Sequence, residues 1–186
     1  MSDDAQLIRD ALAGRSAAFG ELVQRYQDRL FNTLYHVIGD REDALDIAQE
    51  AFVQAFMRLD SFQHSSAFYT WLYRIAFNIA ASQRRRRRPA VSIEHAQEVS
   101  GDEPVDQQDG PGERLEQVER ILQVQRAIAT LSEEHRVILV LREIDGCCYE
   151  SIAEVLGLPV GTVRSRLHRA RLYLREYLRE ALMVDE

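Results

Sequence analysis

Between residues 16 and 38 the apolar positions Phe19, Leu22, Val23, Tyr26, Leu30, Leu34 and Val37 return every three or four residues. That spacing lines one face of a helix. Ser16 is placed to cap this helix and Gly39 to end it. Asp40 then caps a second helix, where Ala44, Ile47, Ala48, Ala51, Phe52, Ala55 and Leu59 share one side. After a break at Ser61–Ser66, a third runs from about Ala67 to Arg86 with Phe68, Leu72, Ile75, Ala76 and Ile79 inward. A short helix near residues 3–13 is expected to pack on these three. No stretch alternates as a half-buried strand would.

From Pro89 to Gly112 the periodicity stops. Pro, Gly, Gln and acids replace the large apolar residues, the composition of a flexible, self-repelling linker. Helical spacing resumes through Leu115–Ala129, and Ser132 caps a helix carrying Val137, Ile138, Val140 and Leu141 that ends at Asp145-Gly146. The segment from Tyr149 has a helix-turn-helix layout. Ala153 permits close approach, Gly157 takes the turn, Pro159 precedes the second helix, and Ile152, Leu156, Leu158, Val163 and Leu167 share a core. The expected fold is all-α, with two small helical bundles (1–88 and 114–186) joined by an acidic flexible linker (89–113).

Composition narrows the class. The 186 residues are 46% hydrophobic and 28% charged, with nine Gly and four Pro, which excludes wholesale disorder and collagen-like repeats. The longest aliphatic run, Val137–Leu141, is far short of the roughly 20 residues that span a bilayer. The acidic start MSDDAQLIRD lacks a signal peptide's basic and apolar blocks, so a cytoplasmic protein is expected. Cys147 and Cys148 are adjacent, which suits neither a strain-free disulfide nor zinc. The five His are scattered, no nucleophile–base set or phosphate-cradling loop is visible, and neither an enzyme nor a cofactor is expected.

A net charge of −7 taken whole argues against nucleic-acid binding, but the charge is segregated. Residues 89–113 hold seven acids and no Arg, whereas Arg84–Arg88 are five positives in a row and residues 159–186 carry six Arg against four acids. All 23 basic residues are Arg, whose planar fork suits phosphates and guanine edges.

Three faces carry candidate chemistry. On the last helix Val163, Leu167, Ala170 and Leu174 turn inward, leaving Arg164, Ser165, His168 and Arg169 outward as on a recognition helix in a major groove. On the third helix Trp71, Arg74, Asn78, Ser82 and Arg85 form a stripe apart from the aliphatic one, continued by Arg84–Arg88. An aromatic, an amide and several Arg in line can stack a base and hold phosphates. On the second helix Glu42, Asp43, Asp46, Gln49 and Glu50 lie opposite the apolar side, which fits either a solvated face or docking on a basic partner. Periodicity does not choose between those two.

The sequence resembles the extracytoplasmic-function (ECF) sigma factors of bacterial RNA polymerase, most closely the sigma-E type. The resemblance is carried by DALDIAQEAFVQAFMRLDSF (43–62), AFYTWLYRIAFNIA (67–80), LREIDGCCYESIAEVLGLPVGTVRSRLHRAR (141–171) and the acidic linker. It implies that Asp46, Gln49 and Glu50 dock on the β′ clamp helices of core RNA polymerase, whose β subunit is also contacted. It further implies that Ser61 and Phe62 in the loop, together with Asn78, capture a flipped base of the −10 element. Trp71 and Arg74 then sit in the helix that faces the −10 duplex and the melting fork; the Arg84–Arg88 run, with Arg84 and Arg85, is longer than the family requires and adds phosphate contacts. Arg142, Thr162, Arg164, Ser165, His168 and Arg169 match positions that contact the −35 element. The chain departs from the pattern at His168, where sigma-E-type proteins carry Phe, so the same −35 sequence is not implied. An anti-sigma partner is implied as well. A stand-alone helix-turn-helix regulator is the alternative, but it leaves the third-helix stripe and the acidic face without a purpose.

Overall fold

The computed structural model describes residues 3–63, 65–87 and 123–184. Four helices form the first unit: α1 (Asp4–Leu12), α2 (Ser16–Ile38), α3 (Arg41–Met57) and α4 (Phe68–Arg87). A short 3-10 turn at Leu59–Ser61 separates α3 from α4. The second unit opens with α5 (123–130). It continues through α6 (Glu133–Leu139), a π turn at Val140–Ile144, α7 (Tyr149–Leu156) and α8 (Val160–Val184). The expected linker, Arg88 and the start of the helix predicted from Leu115 lie outside the described residues.

Local chemistry sets the boundaries. Gly39 takes the left-handed conformation at φ 84° and ends α2, and the Asp40 carboxylate accepts the Asp43 backbone N–H at 2.8 Å to start α3. These are the expected stop and cap. The start of α2 differs. Arg15 occupies the cap position and Ser16 is already helical, because Gly14 at φ 90° makes the turn one residue earlier. On α3 the fully buried Ala44, Ala51 and Ala55 let α2 and α4 approach closely.

The two units are packed on each other. α7 lies against α4, while α2 meets α6 and the π turn, so one hydrophobic core runs through both. At its edge sits Asp145, whose side chain is 3% exposed. Its Oδ1 accepts from Arg29 Nε at 2.6 Å and from the Tyr73 hydroxyl at 3.2 Å, and its Oδ2 from the Cys147 thiol at 3.1 Å. A second Arg29 nitrogen donates to the Asp145 carbonyl at 2.8 Å. Burial alone would lower the Arg29 guanidinium, but hydrogen bonding and charge from Asp145 raise it. Burial and then Asp145 push the Tyr73 hydroxyl upward, and burial and Asp145 push the Cys147 thiol up to about 12. Elsewhere along the seam Arg136 donates to the Val37 carbonyl at 3.3 Å, and Arg84 pairs with Glu133. Among the described residues no helix is long and apolar enough to cross a membrane.

Candidate nucleic-acid interface

The helix-turn-helix is built as its sequence dictates. Cys148 caps α7, its sulfur accepting the Ser151 N–H at 3.5 Å. Gly157 at φ 64° closes the helix, and Pro159 then offers its carbonyl to Thr162 and Val163 at 2.9 and 3.1 Å. Ile152, Val163 and Leu167 are buried, with Leu156 and Leu158 half-buried against them. This rotation leaves Arg164, Ser165, His168 and Arg169 exposed along the leading turns of α8, with Thr162 half-buried beside them. The Ser165 hydroxyl donates to the Thr162 carbonyl at 3.0 Å, which leaves its oxygen lone pairs outward.

Arg142 joins this row from the π turn. From this wider turn its guanidinium donates to the Cys147 carbonyl at 2.8 Å. It lies over the Tyr149 ring at 5.0 Å from the centroid, and Arg164 lies over the same ring at 5.6 Å. Arg171 is raised by its hydrogen bond to Glu143, at 2.9 Å, and it also meets the Tyr149 hydroxyl. Sequence reading gave Tyr149 no role. The available signal was an aromatic seven residues after Arg142, at the start of the helix-turn-helix that carries Arg164.

On α4 the stripe is corrected at its first member. Trp71 does not stand apart from the apolar face. It is 8% exposed and packs against Phe62 and Phe68, with ring centroids 5.2 and 5.9 Å away. The loop before α4 folds Phe62, also 8% exposed, back onto the indole, so both large rings leave water together. Arg74, Asn78 and Arg85 do point outward, with Ser82 half-buried among them. Ser61 is exposed too, its hydroxyl donating to the Arg58 carbonyl at 2.6 Å. Asn78 and Arg84 line a cleft of about 610 Å³ between the units, whose other walls include Ile47, Phe77, Val137 and Leu156.

The acidic face of α3 is exposed at Asp46, Gln49 and Glu50, with Glu50 accepting from Gln54 at 2.9 Å. Beside it lies an apolar strip that periodicity did not single out: Leu45, Val53, Phe56 and Met57, exposed at 46, 58, 50 and 75%. Large side chains left in water next to carboxylates make a surface of mixed chemistry suited to a protein partner. Among the described residues no three His, Cys, Asp or Glu converge as a metal site.

The family model described as Sigma-70 region 2 matches residues 22–90, and that described as Sigma-70, region 4 matches residues 121–174. The RNA polymerase sigma-H factor of Pseudomonas aeruginosa is 41% identical, over 96% of this chain and 97% of its own length. The ECF RNA polymerase sigma factor SigW of Bacillus subtilis is 36% identical, over 93% of this chain and 95% of its own. Among solved structures, the sigma factor RpoE from Bartonella quintana, in complex with the anti-sigma factor NepR, superposes with a TM-score of 0.70. It is 25% identical and covers 87% of this chain and 96% of its own.

Proposed function

The chain belongs to the ECF sigma factors of the sigma-70 family, and on that premise we propose a division of labour between its two units. The factor binds core RNA polymerase and directs promoter-specific initiation, each part carried by its own residues. Residues 1–88 dock on polymerase and hold the opened −10 strand, 89–113 connect, and 114–186 read the −35 duplex.

The observation that carries this reading is the outward row on α8. Arg164, Ser165, His168 and Arg169, with Thr162 and Arg142 half-buried beside them, present an exposed row of donors and acceptors of the kind that meets major-groove base edges and phosphates. On α4, Arg74, Asn78, Arg84 and Arg85, with Ser61 of the loop, supply phosphate contacts and a base-edge partner. Phe62 and Trp71 form the aromatic floor under that loop. Asp46, Gln49 and Glu50 attract the β′ clamp helices, and the apolar strip beside them removes water from the contact. With a net charge of −7, free DNA is bound weakly and polymerase supplies the attraction. This chain makes and breaks no covalent bond and works in the cytoplasm. As with the RpoE relative bound to NepR, an anti-sigma protein is the expected inhibitor.

Two variants separate the roles. Arg164→Glu abolishes −35-dependent run-off transcription while co-purification with core polymerase persists. Asp46→Arg with Glu50→Arg abolishes co-purification. The same loss of core binding in both overturns the division, and tight specific DNA binding without polymerase favours the stand-alone regulator.

A further inference from the structure

The geometry points to Tyr149 as the positioning residue that sets −35 specificity by aiming two arginines. This rests on the reading of Arg142 and Arg164 as −35 contacts. They approach from different elements, the π turn and α8, and among the described residues neither forms an ion pair. Both guanidiniums lie over one half-buried ring, and Arg142 is further pinned by the Cys147 carbonyl. An arginine free to swing reaches many acceptors equally. One laid on an aromatic face keeps its fork in a plane and spends less entropy on a bidentate contact. Tyr149 therefore acts through the arginines, with no contact to a base of its own.

The test uses the full chain with core polymerase and promoters having a fixed −10 element and a randomised −35 hexamer. Tyr149→Phe keeps the ring and keeps the wild-type base profile. Tyr149→Leu loses roughly tenfold in discrimination at the bases read by Arg142 and Arg164, and adds little when Arg142 is already Ala. An unchanged profile in Tyr149→Leu overturns the proposal. So does a loss of output uniform over all hexamers, or a defect as large in Tyr149→Phe. If Arg142→Ala and Arg164→Ala themselves leave the profile unchanged, the −35 assignment falls first.

Independently, we infer that Asp145 is a latch holding the free factor shut. Its carboxylate gathers donors from both units, Arg29 and Tyr73 from the first and Cys147 from the second. Closure places Asn78 and Arg84 on the wall of the cleft between the units, so two exposed groups assigned to the −10 strand border the second unit in this state. Reading two separated elements requires the seam to part.

Small-angle scattering of the full chain tests the latch without DNA. The wild type has a radius of gyration near that of a compact chain this size, roughly 16 Å. Arg29→Ala and Asp145→Ala each raise it by several ångströms, and the double variant goes no further. Both singles also bind core polymerase severalfold more tightly, because less of the chain sits in the incompetent form. A wild type already extended, variants that stay compact, or expansion without tighter polymerase binding each overturn the latch. The scattering result stands whatever becomes of the DNA assignments.

Discussion

Cys147 and Cys148 are neighbours with opposite surroundings: one buried with its thiol on Asp145, the other exposed at the start of α7. Reactivity follows the thiolate and its access. Iodoacetamide at pH 8 will therefore label Cys148 and spare Cys147 in the native chain, as peptide mass mapping will show. The same burial gives a pH dependence. The Cys147 thiol is pushed up from 9.0 to about 12 by burial and Asp145, and the Tyr26 hydroxyl from 10.0 to about 12 by burial and Asp4. Above about pH 9 the unfolded chain releases these protons while the native one keeps them. This part of the stability is complete below that pH and is lost as pH rises toward 12. Melting temperatures between pH 8 and 11 will fall, and Cys147→Ala will flatten the first part of the decline.

At the scale of elements, Gly157 shows what a turn demands. Its φ of 64° is left-handed, yet an added Cβ would meet nothing within 4 Å, so the cost of a side chain is in the backbone alone. Gly157→Ala will destabilise the fold by about 1–2 kcal/mol in urea titrations, and Gly157→Asn by less. Such elements were legible in the sequence because their causes are local. Gly39, Asp40 and Gly157 mark ends, and the inward run Val163, Leu167 and Ala170 fixes which side of α8 is outward. Trp71 was not legible, because its burial depends on Phe62 folding back from a preceding loop. The π turn left no periodic signature either, and with it the approach of Arg142 to Tyr149. On α3 the carboxylates were visible as a face, but the strip of Val53, Phe56 and Met57 was not, since exposure is set by what neighbouring helices leave uncovered. Val53→Ser with Met57→Ser will weaken core polymerase binding in a pull-down about tenfold and leave the melting temperature nearly unchanged, because both side chains already stand in water.

For the whole molecule, two units were foreseeable and their contact was not. Arg29 and Asp145 lie 116 residues apart, and no local pattern announces such a pair. The unbroken core that results has a calorimetric meaning. Halves that share buried surface absorb heat as one body, so a scan of the free factor will give a single endotherm with matching calorimetric and van't Hoff enthalpies. While the Asp145 seam stays shut, a protease or a chaperone therefore meets one body rather than two.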